Sequence, residues 1–200
     1  MRASTRRELV AGPAGNIECV VDEPKGRPSR GMVLVAHPHP LFGGTLDNKV
    51  VQTLARAFVE LGYTAWRPNF RGVGASEGAH DEGRGEVEDL AAVIEFARSE
   101  KPVLAGFSFG AAIQTRLAQR VTPERMVLVG VAVKHLEAMP VPADTILIHG
   151  EEDRTVPLAD VLAWARPQDL PVVVVPGADH FFHRRLQVLR AIIGNNWKQG

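Results

Sequence analysis

The sequence has a single cysteine, Cys19, in 200 residues. An intramolecular disulfide is therefore excluded, and nothing favours an oxidising compartment. An excess of charge of either sign is also missing, because 23 Lys and Arg balance 23 Asp and Glu. A surface that tracks phosphates would show a basic excess, so nucleic acid is not the expected partner. No apolar run approaches the roughly 20 residues needed to span a bilayer. The basic start, MRASTRRELVAGPAG, has no apolar stretch of the kind a signal peptide carries. These absences lead to the expectation of a soluble cytoplasmic protein with no membrane partner. Internal repeats, low-complexity tracts and linkers are absent as well, and PKGRPSR at 24–30 reads as a surface loop. With 45% hydrophobic residues, 1–200 is expected to form a single domain.

What the chain does have is alternation. Its 19 Gly and 14 Pro suit a fold with many strand-to-helix turns better than a helical bundle. Short continuous apolar runs, as in strands buried on both faces, are read at 32–36 (MVLVA), 63–66, 103–106, 126–133 (MVLVGVAV), 145–148 and 172–175. Between them, apolar residues recur at spacings of three and four. Val50, Val51, Leu54, Ala57, Phe58 and Leu61 predict a helix over 48–61 that Gly62 stops, and further helices are predicted over 86–98, 111–120, 158–165 and 184–193. Two β-like pieces near 7–10 and 17–21 form an antiparallel hairpin at one sheet edge. The expected architecture is α/β: about eight strands, mostly parallel, with helices on both faces and no cap domain.

Ligands bind such sheets at the carboxyl ends of the strands. The loops there begin near His37, Asn69, Ser108, Lys134, Gly150 and Gly177, and three of them carry reactive residues. GFSFG at 106–110 sets Ser108 between a strand and a helix, with Gly106 and Gly110 leaving room for a tight turn. His180, in VPGADHFFH after the last strand, is a candidate base; His183 competes with it. Asp153, in HGEEDRTVP, can orient an imidazole, with Glu151 and Glu152 as neighbours that could substitute. RGVGASEG at 71–78 has the wrong glycine spacing for a dinucleotide or phosphate loop and reads as a structural turn, with Ser76 inert. Cys19 reads as a small buried hydrophobe.

The chain resembles the α/β-hydrolase superfamily over nearly its whole length. The resemblance is carried by HPHPLFGGT (37–45), NFRGVGASEG (69–78), GFSFG, HGEEDRTVP (149–157) and GADHFF (177–182), and by the order Ser, acid, His. It is similar to small lidless bacterial proteins of dienelactone-hydrolase-like or carboxylesterase-like type. That resemblance implies Ser108 as nucleophile, Asp153 as acid and His180 as base. The oxyanion hole is then expected to use the N–H of Phe109 and a second donor from 37–41. Pro38 and Pro40 have no N–H, which leaves His39 or Leu41. About ten residues separate the strand ending at Val133 from the next, too few for a lid, so an open site walled by Leu41, Phe42, Phe107, Phe109 and Phe181 is expected. The expected partner is a small acyl substrate such as a short ester. Thioesters, amides, a non-catalytic binding role and a homo-oligomer stay open. His37 and His39, with His180, His183 and Asp153, raise the alternative of a zinc-dependent hydrolase, but the H-x-H-x-D-H pattern is absent; no metal and no cofactor are expected.

Overall fold

The computed structural model describes residues 3–134 and 136–197. Eight strands form one sheet: β1 (Ala3–Gly12), β2 (Gly15–Pro24), β3 (Met32–Ala36), β4 (Thr64–Pro68), β5 (Val103–Phe107), β6 (Met126–Val129), β7 (Ile146–Gly150) and β8 (Val172–Val175). Their spatial order is β1-β2-β4-β3-β5-β6-β7-β8. The β1–β2 and β2–β4 pairs are antiparallel and the rest parallel. The helices are α1 (Lys49–Leu61), α2 (Arg84–Phe96), α3 (Phe109–Leu117), α4 (Leu158–Ala165) and α5 (Leu186–Asn196).

The period of two in each strand divides the core between the two sheet faces. On β3, Met32, Leu34 and Ala36 join one cluster, with α2 and α3 side chains such as Leu90 and Ile113. Val33 and Val35 join the other, with Leu54 and Phe58 of α1 and Leu189 and Ile193 of α5. On the second face Phe58, Tyr63 and Trp197 pack edge to face, with centroids 4.8–5.8 Å apart.

Local chemistry sets the element ends. Asn48 Oδ1 accepts the N–H groups of Val50 and Val51 and starts α1; Gly62, at φ 98°, stops it. Helix α2 begins two residues earlier than its apolar pattern suggests. The fully buried Glu86 carboxylate accepts the N–H groups of Asp81 and Gly83, both at 2.9 Å, and caps the entry. The edge hairpin is longer than its apolar pieces. Its outer rungs are polar and joined across the strands by Thr5 to Asp22 (2.6 Å) and by an Arg6–Glu23 ion pair.

One strand is shorter than the sequence implies. The apolar run 126–133 was expected to be strand throughout, but β6 ends at Val129 and its loop starts at Gly130, not near Lys134. Gly130 sits at φ 53°, and its N–H reaches across to Ile148 O at 2.9 Å. The chain leaves the sheet there, while Val131 stays fully buried. Burial without pairing is what made the run look like one strand.

Candidate active site

The carboxyl ends of β3, β5, β7 and β8 bring the candidate residues to one edge of the sheet. Ser108 occupies the single residue between β5 and α3, at φ 54° and ψ −117°, a region that residues other than glycine rarely adopt. Both flanking glycines are required by space. A Cβ on Gly106 would lie 2.7 Å from Ala111 N, and one on Gly110 would lie 2.4 Å from the carbonyl oxygens of Ala36 and His37. Backbone bonds hold the serine in place: its N–H donates to Val129 O (2.9 Å), and its carbonyl accepts from Ala112 (3.2 Å) and Ala132 (3.3 Å).

Ser108 Oγ lies 3.0 Å from His180 Nε2, and His180 Nδ1 lies 2.6 Å from Asp153 Oδ2. The carboxylate assigns the proton to Nδ1, which leaves Nε2 as the acceptor for the hydroxyl. The other carboxylate oxygen, Oδ1, accepts the N–H groups of Thr155 (2.9 Å) and Val156 (2.8 Å), so the acid is held by its own loop. All three side chains are buried. His180 is clamped between Phe107, 4.8 Å away and fully buried, and Phe181, edge-on at 5.1 Å. The competing residues lie elsewhere. His183 is exposed and pairs with Asp179 at 2.6 Å; Glu151 accepts Gly177 N–H; Glu152 is exposed. This arrangement can move a proton from a serine hydroxyl to a carboxylate-supported imidazole.

Two further histidines are fully buried beside the site. The Nε2 of His149 on β7 lies 2.9 Å from Val156 O and 3.5 Å from Asp153 Oδ2. His37, just past β3, accepts the Phe70 N–H at Nε2 (2.9 Å) and has Nδ1 at 2.6 Å from Pro38 O. Burial lowers the pKa of both, that of His37 to about 4. His37 and His180 each have both ring nitrogens within hydrogen-bonding distance of protein atoms. Among the described residues no group of three or more His, Cys, Asp or Glu is arranged to hold a metal ion.

A cavity of about 270 Å³ opens over Ser108, walled by Phe42, Phe109, Ala132, Val133, Val156 and Pro157. Lys134 and Asp160 stand at its mouth as an ion pair at 2.7 Å. Past His39, Phe42 and Phe109 lies a wider hollow of about 680 Å³ that includes Leu41 and Arg116. Of the five expected wall residues, then, Phe42 and Phe109 line the cavity with Ser108, Leu41 lines the adjoining hollow, and Phe181 flanks His180 on its other side. Phe107 must be corrected: it is fully buried in the cluster shared with α1 and α5, packs under His180 and lines neither hollow. Ala132, Val133, Lys134, Thr155, Val156, Pro157 and Asp160 line the cavity without having been among the expected wall residues. Gly130 was the signal, since a glycine inside an apolar strand pattern marks a departure from the ladder. On the oxyanion side, Phe109 N–H sits in the first turn of α3, where the helix offers no carbonyl to it. Leu41 N–H donates to His39 Nδ1 at 3.2 Å and is committed within its own loop.

The remaining motifs are structural. Ser76 Oγ donates to Asn69 O and accepts Glu18 N–H, bracing the turn 69–78 against β2. Arg71 binds both oxygens of Asp89 on α2 at 2.7 and 2.8 Å. Cys19 is fully buried, and burial pushes its thiol up to about 12. No helix of the described residues is long and apolar enough to cross a membrane.

Comparison with known proteins agrees with this architecture. The family described as "Serine aminopeptidase, S33" matches residues 27–145, more than half the chain and inclusive of Ser108. An α/β serine hydrolase homologue from Coxiella burnetii is 40% identical, with a TM-score of 0.89 over 96% of this chain and 97% of that one. A lidless α/β serine hydrolase from Xanthomonas campestris is 34% identical, with a TM-score of 0.90 over 98% and 94%. An uncharacterised protein of Rickettsia prowazekii is 32% identical across 88% of this chain and 82% of its own length. The chain belongs to that matched family, and so to the α/β-hydrolase superfamily, as a lidless serine-hydrolase-type member.

Proposed function

We propose that this protein is a serine hydrolase that cleaves short acyl esters through a covalent acyl-enzyme. The observation that carries the reading is the continuous chain from Ser108 Oγ to His180 (3.0 Å) and on to Asp153 (2.6 Å). Ser108 Oγ attacks the carbonyl carbon while His180 Nε2 takes its proton, and Asp153 stabilises the imidazolium that results. The carbonyl oxygen becomes an oxyanion that accepts from the N–H of Phe109 and the N–H of His39. When the tetrahedral intermediate collapses, the C–O bond to the leaving alcohol breaks and His180 returns the proton to that oxygen. Water then repeats the sequence on the acyl-enzyme, releasing the acid and restoring Ser108.

The apolar wall of the 270 Å³ cavity supports a short acyl chain, and the missing lid supports water-soluble esters over aggregated lipid. The proposed setting is the cytoplasm, where a lone cysteine needs no partner. The matched family's description raises an aminopeptidase as the second reading. A free substrate ammonium needs an anionic partner, and Asp160 at the cavity mouth is already paired with Lys134, which favours esters.

The test is a series of p-nitrophenyl esters of rising chain length, run beside aminoacyl p-nitroanilides, with Ser108→Ala as control. The expected result is turnover of acetate to butyrate esters that the control lacks. A preference for long chains or for aminoacyl anilides would reject the substrate assignment, and activity retained by the control would reject the mechanism.

A further inference from the structure

We propose that Lys134 makes the mouth of the 270 Å³ cavity a subsite for an anionic group at the far end of the acyl chain. The preferred substrates are then half-esters of short dicarboxylic acids. The proposal deepens the reading of Ser108 as the nucleophile of an ester hydrolase and rests on it. Among the described residues that line the cavity, Lys134 and Asp160 alone are permanently charged. They come from separate segments, Lys134 from the loop after β6 and Asp160 from the first turn of α4, and they meet at 2.7 Å. The rest of the wall beside Ser108 is mostly apolar, with Val133, Val156 and Pro157. An acyl chain on Ser108 is matched by hydrocarbon along that wall and by charge at the mouth.

The two members of the pair are not equivalent. The Asp160 side chain is 21% exposed, and its backbone is held in the helix, where its N–H donates to Pro157 O at 3.0 Å. The Lys134 side chain is 77% exposed and ends a flexible four-carbon stem. Lys134 is therefore the member that can turn toward a ligand.

Donor capacity decides the sign of that ligand. An ammonium has three N–H donors, and the pair spends one of them on Asp160. A substrate carboxylate can take another while the pair stays intact. A substrate ammonium has no such place. It must expel Lys134 from Asp160, which exchanges one cation for another and adds no new contact. The like charge of Asp160 opposes a bound carboxylate, so Asp160 and Lys134 act on the preference with opposite signs. A pair this exposed contributes little to folding, and both residues can be changed in a folded protein.

The test is competition against p-nitrophenyl butyrate, which reads binding whether or not the competitor is itself turned over. The competitors are the monomethyl esters of succinate, glutarate and adipate, their ω-carboxamide counterparts of the same shape, and the methyl ester of ε-aminocaproate. In the wild type the best half-ester is expected to have an inhibition constant at least about tenfold below that of its amide, the scale of one hydrogen bond between charged groups. That ratio should fall to about one in Lys134→Met and rise at least about threefold in Asp160→Asn. Half-ester and amide that bind alike in the wild type overturn the proposal, as does an aminocaproate ester that binds more tightly than either. So does a ratio that Lys134→Met leaves unchanged or that Asp160→Asn does not raise. Failure of the underlying reading looks different, since the wild type would then neither turn over p-nitrophenyl butyrate nor take up a phosphonate at Ser108.

Discussion

At the scale of single residues, Asp153 is proposed to orient the His180 imidazole and not to take its proton. Asp153→Asn keeps its shape but favours the wrong imidazole tautomer, so kcat is expected to fall about 10⁴-fold with the fold intact. Burst and steady-state ester kinetics, with circular dichroism on the same sample, would check this. A second residue-scale prediction concerns pH. The folded-state pKa of His37, about 4, lies below that of a free imidazole, 6.5, so the unfolded chain binds the proton more readily. Stability is therefore complete above about pH 6.5 and falls as the pH drops toward 4, by on the order of 3 kcal/mol from this one group. His149, shifted in the same direction by burial, steepens the loss. Thermal unfolding between pH 7.5 and 4 should show this decline, and H37N should show a shallower one. A slope unchanged in H37N would count against a buried neutral His37. Ser108, Asp153 and His180 were all legible in the sequence, because each follows a strand and their order restricts their roles. His37 was legible only as a residue type. Its use of both ring nitrogens depends on Phe70, which lies far along the chain and is brought near by β3–β4 pairing.

At the scale of elements, what could be read was what the local pattern determines. Strand β3 and helix α4 stand where their apolar periods put them. Helix α1 does too, because an apolar face, an Asn cap and a Gly stop agree with one another. The misjudged ends are those set by contacts distant in sequence or by backbone angle. Glu86 extends α2 by capping it from inside, and Gly130 stops β6 although the apolar run continues. The α1 cap gives a clean test. Asn48→Ala removes the acceptor for Val50 and Val51 N–H and should cost about 1 kcal/mol of stability. Because α1 lies behind the sheet and touches none of the three site side chains, kcat/KM at 25 °C should not change. Urea melts and ester kinetics on the same preparation would decide it. An activity loss without a stability loss would mean that α1 positions the site more directly than the structure suggests.

At the scale of the whole molecule, the order β1-β2-β4-β3-β5-β6-β7-β8 converts separate stretches of sequence into one site. Alternation of strands and helices made the layered α/β architecture legible, and the parallel core of the sheet puts every reactive loop on the same edge. Strand order itself is not written in any local pattern, so the cavity walls from 132–134 and 155–157 came only with the structure. Between β6 and β7 no helix covers the cavity among the described residues. A lidless site has no closed state for an interface to open. Ester hydrolysis should therefore follow the concentration of monomeric substrate smoothly through the micellar transition, and a jump in rate there would reveal a covering element.

The central claim is that Ser108 is an activated nucleophile. The most direct measurement is the intact mass of the folded protein after brief treatment with a fluorophosphonate, followed by peptide mapping. One phosphonate per chain is expected, located on Ser108, absent from Ser108→Ala and from denatured protein. A folded wild type that gains no phosphonate, or a Ser108→Ala variant labelled to the same extent, would contradict it.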